Sequence, residues 1–246
     1  MKSIKELYRI GTGPSSSHTM GPRKAAEIFL KRHPEAAGFK VTLYGSLAAT
    51  GKGHMTNVAI TDTLQPAAPV EIIWEPKIFL PFHPNGMKFV AFDGSHGITG
   101  EWTVYSTGGG ALSEGKGAGD IFNTKEVYDM NSLTEIMRWC EETGRSYWEY
   151  VDMCEDASIW DYLLEVWKTM QKAVERGINH EGRLPGPLNL ARKAPTYYVK
   201  ASGYKQSLQT RGLVYAYALA VSEENASGGT IVTAPTCGAC GVLPAV

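Results

Sequence analysis

The chain has 246 residues, of which 43% are hydrophobic and 20% are charged, and its formal net charge is −1. This composition is typical of a globular protein with a sizeable core, arranged as one large domain or two small ones, and excludes a disordered chain. The small net charge argues against binding to nucleic acid or to a membrane surface. No hydrophobic run reaches transmembrane length, and the N-terminus is too short and too polar for a signal peptide, so we expect a cytoplasmic location.

The first part of the chain predicts a mixture of helices and strands. A helix is expected after Pro22, because apolar residues recur there at spacings of three and four residues. Strand-like alternation marks four later segments, at residues 39–44, 71–74, 87–92 and 101–106. A short helix is expected at residues 47–50. The glycines of this part match neither a dinucleotide-binding fingerprint nor a phosphate-binding P-loop.

From residue 132 onward the pattern is helical. Ser132 and Glu135 have the spacing of a capping box, and apolar periodicity predicts helices over 132–142, 146–154, 156–176 and 208–224. One face of the third helix is predicted to be a core stripe, formed by Ile159, Leu163, Val166, Trp167 and Met170. A breaker cluster at 182–187 predicts a linker or an ordered loop. We therefore predict an α+β domain at residues 1–145 and the beginning of a mainly α-helical domain over residues 150–246.

The stretch from Gly11 to Pro22 is the most informative in the chain. Two glycines and a proline bend the backbone, and hydroxyl side chains then precede the predicted helix, at Ser15, Ser16, Ser17 and Thr19. Free backbone N–H groups and the dipole at a helix N-terminus favour an anion, and His18 adds a group that titrates near neutral pH. This motif predicts a pocket for a small carboxylate or phosphate. The alternative is a solvated capping loop that only starts the helix.

Three further segments combine glycines with residues that can do chemistry. His54 follows Gly53 in the motif GKGH and can act in a cleft as an acid, a base or a donor to an anion, or else be a surface turn residue. His83 lies in HPNG, which by itself is a turn signal. Tyr105 stands near the end of a strand that opens into the glycines 108–110, where bare backbone lets a ligand approach closely. The alternative for Tyr105 is a half-buried strand tyrosine without a functional role.

The segment TAPTCGACG, at residues 233–241, supplies a second set of hydroxyls and glycines. For Thr233, Thr236 and Gly238, the natural geometry is a helix N-terminus that follows a strand, which is again that of an anion site. Close helix packing by small residues is the alternative. Two such sites in one chain predict one small ligand bridged between the two domains.

The cysteines are Cys140, Cys154, Cys237 and Cys240. Disulfides are not expected in a reducing cytoplasm. Cys237 and Cys240 form a CxxC motif, which is compatible with a redox pair or with half of a metal site. Cys140 and Cys154 lie in apolar helical patterns and are predicted to serve in packing.

The motifs GTGPSSSHTMGPRKA, GSLAATGKGH, HPNGMKF, YSTGGG, LPGPL and TAPTCGACGVLPAV, in this order, resemble those of the bacterial iron–sulfur-dependent L-serine dehydratases. The resemblance runs through essentially the whole chain. It implies that the first part is the β-type domain of that family and that the helical part begins its α-type, catalytic domain. It also implies an enzyme that deaminates L-serine to pyruvate and ammonia. We further expect a homodimer.

The resemblance implies a 4Fe–4S cluster that is held by three cysteines and whose open iron acts as a Lewis acid on the substrate hydroxyl and carboxylate. A base removes the Cα proton and water leaves. By the same resemblance, His18, His54 and Tyr105 are the catalytic residues. The substrate-binding residues that it implies are Ser15, Ser16, Ser17, Thr19, Thr233, Thr236 and Gly238.

The chain departs from this family at several points. The cluster cysteines of the family lie beyond the TAPT motif, so we expect no metal ligands in this chain and place them beyond Val246. The chain resembles a C-terminally incomplete member, and alone we expect it to bind no cluster and to have little or no activity. Cys237 stands where asparagine is usual, and Asn57 stands where aspartate is common. These changes are expected to alter substrate contacts and the charge near His54.

Other functions fit parts of the pattern. A related iron–sulfur lyase would act on cysteine or another β-substituted amino acid, and a regulatory module would bind a carboxylate without chemistry. A pyridoxal phosphate dehydratase would need a Schiff-base lysine beside a phosphate-binding glycine loop. Lys52 is the nearest candidate for that lysine, but it lies in a turn without the expected neighbours.

Overall fold

The computed structural model describes residues 1–115 and 126–246. The first part contains a five-stranded mixed sheet with the strand order β3-β2-β4-β5-β6. Its strands are β2 (Gly38–Tyr44), β3 (Val70–Glu75), β4 (Gly86–Phe92), β5 (Ile98–Gly108) and β6 (Ala111–Ser113). The strands β2 and β3 are parallel, and each of the other neighbouring pairs is antiparallel.

The helices α1 (Gly21–Arg32) and α3 (Thr56–Leu64) pack against this sheet, while α2 (Gly45–Thr50) follows directly from β2. Every second residue of β2 is buried, because alternate side chains of a strand point to opposite faces. Phe29 of α1 is fully buried, and its ring centroid lies 5.3 Å from that of Phe89 and 6.4 Å from that of Trp102. The core of this part is therefore an aromatic cluster between α1 and the middle strands.

The second part is helical. Its helices are α4 (Leu133–Thr143), α5 (Tyr147–Cys154), α6 (Ser158–Asn179), α7 (Ala194–Ser202), α8 (Gln206–Ala226) and α9 (Val242–Ala245). The predicted capping box is present at the start of α4, where the Ser132 hydroxyl accepts from Glu135 N–H. The helices α6 and α8 approach closely at Gly177, where a Cβ atom would lie 2.3 Å from the carbonyl oxygen of Ala220. A side chain at this position would force the two helices apart.

The core stripe predicted on α6 is wrong at one position. Ile159, Val166 and Met170 are buried and Leu163 is half-buried, whereas Trp167 is 50% exposed. One residue turns a helix by about 100°, so Trp167 lies beside the buried face that Val166 occupies. Because Val166 and Trp167 are both apolar, the sequence pattern alone did not show that only Val166 lies on the buried face.

A two-stranded ribbon joins the beginning of the chain to the helical part. In this ribbon β1 (Ile10–Thr12) pairs antiparallel with β7 (Thr230–Val232). Nearby, the Tyr162 hydroxyl on α6 donates to the carbonyl of Tyr8, and Ser3 Oγ donates to Glu155 Oε1 at 2.8 Å. The first residues of the chain therefore pack with helices that lie far away in the sequence.

The predicted architecture, an α+β part followed by a mainly helical part, is confirmed. Residues 182–187 belong to an ordered loop, in which Leu184 N–H donates to the carbonyl of Leu190 at 2.8 Å. The domain boundary expected between residues 145 and 150 stays a prediction. In the described ranges, we find no helix that combines the length and the apolarity needed to cross a membrane.

Candidate functional site

A π-helical turn, Ser16–Met20, carries the hydroxyl-rich motif and runs directly into α1. Ser15 caps this turn, because its hydroxyl accepts a hydrogen bond from His18 N–H at 3.1 Å. The Thr19 hydroxyl accepts from Ser15 N–H at 3.1 Å and donates to the carbonyl of His54 at 2.6 Å. Ser15 and Thr19 therefore use their hydroxyls inside the protein, where they hold the turn and the GKGH loop together.

The free donors of the turn lie at Ser16 and Ser17. The N–H groups of His18, Thr19 and Met20 are used within the turn. By contrast, the Ser16 and Ser17 N–H groups and the Ser16 hydroxyl make no hydrogen bond within the described part of the chain. Unused N–H groups at the start of a helix carry partial positive charge and favour an anion. The turn therefore has the geometry of a small anion site.

His18 and His54 face each other beside this turn, with their ring centroids 4.8 Å apart. His18 Nδ1 lies 2.9 Å from Ser17 Oγ, and His18 Nε2 lies 3.1 Å from Ser46 Oγ on α2. Burial lowers the pKa of His18, and the neighbouring His54 lowers it further, while a hydrogen bond with Ser46 acts in the opposite direction. At neutral pH the ring is therefore neutral, between two hydroxyls that can each donate or accept.

The hydrogen bond of His54 defines which of its ring nitrogens is basic. His54 Nδ1 lies 3.0 Å from the carbonyl oxygen of Thr50. Because a carbonyl oxygen only accepts, Nδ1 carries the proton, and Nε2 of the neutral ring is an acceptor. Among the residues that the structure describes, none hydrogen-bonds to His54 Nε2. The site thus contains the neutral ring of His18, whose two nitrogens both have hydroxyl partners, and the ring of His54, whose Nε2 is available as an acceptor.

We expect the lowered pKa of His18 to make stability depend on pH. The unfolded chain binds a proton at His18 near pH 6.5, above the folded pKa, so the folded state is penalised as the pH falls through this range. Stability should therefore rise as the pH increases from the folded pKa through 6.5 and then level off, and His18→Gln should make this rise smaller. Urea unfolding at a series of pH values measures the change, with His96→Gln as the control. An unchanged slope in His18→Gln would contradict the prediction.

The TAPT segment reaches the same turn through Cys237 and Met20. The Cys237 thiol donates to the Met20 sulfur at 3.5 Å. Thr236 and Gly238, on either side of Cys237, are exposed. The structure therefore brings the two hydroxyl-and-glycine motifs next to each other, although they are more than 200 residues apart in sequence.

Thr233 has a different position from its neighbours in this segment. It is fully buried, and its hydroxyl donates to the carbonyl of Leu7 at 2.9 Å and accepts from Arg9 N–H at 3.0 Å. Both hydrogen bonds run to the backbone that leads into β1. The Thr233 hydroxyl therefore stabilises the ribbon between β1 and β7.

Within the described residues, the ring contact of Tyr105 is with Phe82, and the ring contact of His18 is with His54. On β5, the neighbouring Ser106 faces the start of α1, where a Cβ on Gly21 would lie 2.3 Å from Ser106 Oγ. Alternation along the strand therefore points Tyr105 to the opposite face, where its ring meets that of Phe82 at 5.1 Å. His83 accepts from Asn85 N–H at 3.1 Å, as a turn residue does. The catalytic role that the resemblance implies for Tyr105 has no further support from these contacts and stays a prediction.

The CxxC cysteines are buried thiols. Cys237 and Cys240 are each 1% exposed. Burial raises the pKa of Cys237 to about 12, with a smaller contribution from Cys240, and burial raises the pKa of Cys240 to about 11. A thiol of such high pKa is protonated at neutral pH and is a poor nucleophile. The geometry therefore favours packing over redox chemistry for this pair.

This burial predicts a selective reaction with thiol reagents. In the folded protein, an aromatic disulfide reagent should modify the half-exposed Cys140 and Cys154, and should reach Cys237 and Cys240 only after denaturant is added. The double variant Cys140→Ser/Cys154→Ser is the control and should lose the reaction in the folded state. Fast modification of that double variant without denaturant would show that the CxxC pair is accessible.

The side chains that could bind a metal can be compared with those that a 4Fe–4S cluster requires. Within residues 1–115 and 126–246, no group of three His, Cys, Asp or Glu side chains is arranged to hold a metal ion. The cysteines are divided between half-exposed positions on α4 and α5 and the buried pair near Met20. A cluster that needs three converging thiolates does not fit these residues.

Three residues that shape the site were not predicted from the sequence. Ser46 hydrogen-bonds to His18, the Thr56 hydroxyl donates to the carbonyl of His18, and Asn225 Nδ2 donates to the carbonyl of Pro14 at 3.1 Å. Ser46 has a signal that is recognisable in retrospect, since it follows Gly45 at the point where a strand ends. Asn225 has no local signal, because its partner is 211 residues away.

Comparison with known families decides where the protein belongs. The family model for the serine dehydratase alpha chain matches residues 42–246, and the model for the serine dehydratase beta chain matches residues 3–72. The chain belongs to the serine dehydratase family. The two matches overlap at residues 42–72, so in this family member the GKGH loop lies within both.

Curated relatives agree with this assignment. The chain is 35% identical to L-serine dehydratase TdcG and 37% identical to L-serine dehydratase 1, both from Escherichia coli strain K12, and 33% identical to L-serine dehydratase from Streptomyces coelicolor. These alignments cover 99–100% of this chain and 65% of each relative, so this family member spans about 65% of their length. The alignments extend over 297–299 residues, so the relatives contain segments that this family member lacks.

Proposed function

We propose that this protein acts as an L-serine ammonia-lyase, which converts L-serine to pyruvate and ammonia. The observation that carries the proposal is the His18–His54 pair, whose rings lie 4.8 Å apart beside the free donors of the Ser16–Met20 turn. An anion site can hold the carboxylate of an amino acid, and a basic nitrogen beside it can take the Cα proton in an elimination. The three relatives compared above are named L-serine dehydratases, which supports the same substrate.

The turn supplies the binding part of this function. We place the serine carboxylate on the N–H groups of Ser16 and Ser17 and on the Ser16 hydroxyl, because these donors have no partner within the described residues. Charge-assisted hydrogen bonds to a carboxylate are about twice as strong as neutral ones. Thr236 and Gly238 are exposed beside the turn and are proposed to contact the rest of the amino acid.

His54 supplies the proton transfer. Its Nε2 takes the Cα proton of serine, and the electron pair of that C–H bond forms the Cα–Cβ double bond as the hydroxyl group leaves. The protonated ring gives its proton to that leaving group, so water departs and His54 returns to neutral. The product, aminoacrylate, tautomerises to an imine, and water hydrolyses the imine to pyruvate and ammonia. A neutral His18 avoids repulsion of the charge that His54 carries for part of this cycle.

The 4Fe–4S cluster implied by the resemblance does not fit the donor set of the described residues. We therefore assign no step to it here. A cluster in this protein would need thiolates from outside those residues, and we keep it as a proposal on the resemblance alone. A cytoplasmic location and a homodimer likewise stay predictions.

The test is anaerobic formation of pyruvate from L-serine after reconstitution with iron and sulfide, with L-threonine and L-cysteine as competing substrates. We expect His54→Ala and the double variant Ser16→Ala/His18→Ala each to lower turnover by a factor of about 100 or more. His96→Ala, in an exposed turn, is the matched histidine control.

We expect little turnover from the chain without a cluster. For the chain alone, calorimetry of L-serine binding therefore takes the place of the activity assay. L-Serine should bind to the parent chain and bind much more weakly to Ser16→Ala/His18→Ala. Parent-like binding and turnover by these variants would overturn the proposal. Pyruvate formed from L-cysteine but not from L-serine would favour the related lyase, and binding without turnover in the reconstituted protein would favour a regulatory module.

A further inference from the structure

Three consecutive side chains at the C-terminal end of α8 hold two separate segments of the protein, residues 192–193 and the backbone at Pro14. Glu223 accepts from Lys193 N–H at 2.6 Å at the start of α7, and Glu224 binds Arg192 Nη1 at 3.0 Å. The next residue, Asn225, donates from Nδ2 to the carbonyl of Pro14 at 3.1 Å. The first two contacts stay within the helical part, whereas the third reaches the backbone immediately before the Ser16–Met20 turn.

The backbone at Gly13 is held tightly against Asn225. Gly13 N–H donates to the carbonyl of Gly229 at 3.3 Å, in the loop that follows α8. A Cβ atom on Gly13 would lie 2.1 Å from Asn225 Oδ1 and 2.2 Å from the Asn225 carbonyl oxygen. Gly13 and Pro14 are therefore fixed on two sides, by the amide of Asn225 and by the loop that follows it. The chain then enters Ser15, which caps the turn.

The asparagine amide is not explained by stability alone. Asn225 is 9% exposed, and its Oδ1 atom is buried with no hydrogen-bond partner within the described residues. A buried acceptor without a partner destabilises a folded protein, and an apolar side chain of the same shape would avoid that loss. What the amide adds is the hydrogen bond from Nδ2 to the carbonyl of Pro14, which orients the backbone that leads into the Ser16–Met20 turn.

We propose that Asn225 is a positioning residue, which sets the Ser15–Met20 turn for its ligand by holding the carbonyl of Pro14. This inference rests on the proposed function for the ligand, L-serine, but the effect on the turn is independent of any ligand. Asn225 acts through Pro14, Ser15 and the turn, and it does not touch the reacting atoms in this scheme.

The test is histidine NMR of the whole chain with Asn225→Leu, which keeps the side-chain shape and removes the donor. Asn225→Ala is the second variant, and His18→Gln assigns the His18 signal. When the turn loosens, water reaches the His18 ring, so its titration midpoint should rise towards the ordinary value in both variants. The titratable group that faces His18 is His54, and its other ring partners are the neutral Ser17 and Ser46.

Glu223→Gln is the matched control, since it weakens the neighbouring contact of the same helix end. It should lower the melting temperature and leave the His18 midpoint unchanged. We also expect L-serine affinity to fall about tenfold or more in Asn225→Leu and to stay at the parent value in Glu223→Gln. A His18 midpoint that is unchanged in folded Asn225→Leu would overturn the inference.

The two readouts separate this inference from the proposed function. The NMR titration needs no ligand, so it decides on Asn225 whether or not serine binds. A parent chain that binds no L-serine, combined with a shifted His18 signal in Asn225→Leu, would overturn the proposed function and support the positioning role.

Discussion

Phe29→Ala should lower the free energy of unfolding by about 3–5 kcal/mol, which is the range for removal of a buried aromatic side chain. Phe29 is fully buried at the centre of the aromatic cluster, with its ring 4.6 Å from that of His33 and 5.3 Å from that of Phe89. Removal of the ring leaves a cavity between α1 and the sheet. Phe89 and Trp102 cannot move to fill it, because they are paired on the neighbouring strands β4 and β5. Denaturant unfolding followed by tryptophan fluorescence measures the loss.

Phe79→Ala is the control for this prediction. Phe79 is 64% exposed, so the same chemical change should alter stability by only about 0.5 kcal/mol. Equal losses in the two variants would show that the aromatic cluster is not the core of this part. A loss in Phe29→Ala below about 1 kcal/mol would show that the cluster repacks around the cavity.

Glu224→Ala should lower the free energy of unfolding by a similar amount, about 3–5 kcal/mol, for an electrostatic reason. Burial of Glu224 would raise the pKa of its carboxyl, but hydrogen bonds from Arg176, Arg192 and His180 outweigh it and keep the pKa below its ordinary value. The side chain of Arg192 is only 1% exposed, so removing Glu224 leaves a buried guanidinium without its carboxylate. Thermal and denaturant unfolding at neutral pH measure the effect.

Two further variants define the cause of that loss. Glu175→Ala, at an exposed position on α6, should be nearly neutral. The double variant Arg192→Leu/Glu224→Leu removes both charges, and it should recover part of the stability because no uncompensated charge remains. A double variant as unstable as Glu224→Ala would assign the loss to packing. Because the folded pKa of Glu224 is lowered, its stabilising contribution should be present above pH about 4.5 and decline as the pH falls below that value.

The fold was predictable to the extent that it depends on local periodicity. The strands β2 and β4 and the helices α1 and α6 show alternation or helical spacing in their own residues, and they occur as expected. The ribbon of β1 and β7 was not predictable as a pair. Each of its strands has only three residues, which is too short for a pattern, and the partners are more than 200 residues apart.

The candidate site was predictable in its residue types and less so in their roles. The hydroxyls of residues 15–19, His18 and His54 do meet in space. Which of these hydroxyls can contact a ligand depends on atomic geometry. The hydroxyls of Ser15 and Thr19 make hydrogen bonds within the protein instead. The orientation of Tyr105 depends on strand register, and the contributions of Ser46 and Asn225 depend on contacts between distant segments.

The ribbon between β1 and β7 has a consequence for the order of events during synthesis. The sheet is complete within the first 113 residues, and a nascent chain of that length can already bury its aromatic core. The segment that leads into the serine-rich turn, in contrast, pairs with residues 225–232, which are synthesised much later. A nascent polypeptide arrested before that point would carry a folded sheet with an unanchored N-terminal arm, so ligand recognition should be one of the last properties that translation completes.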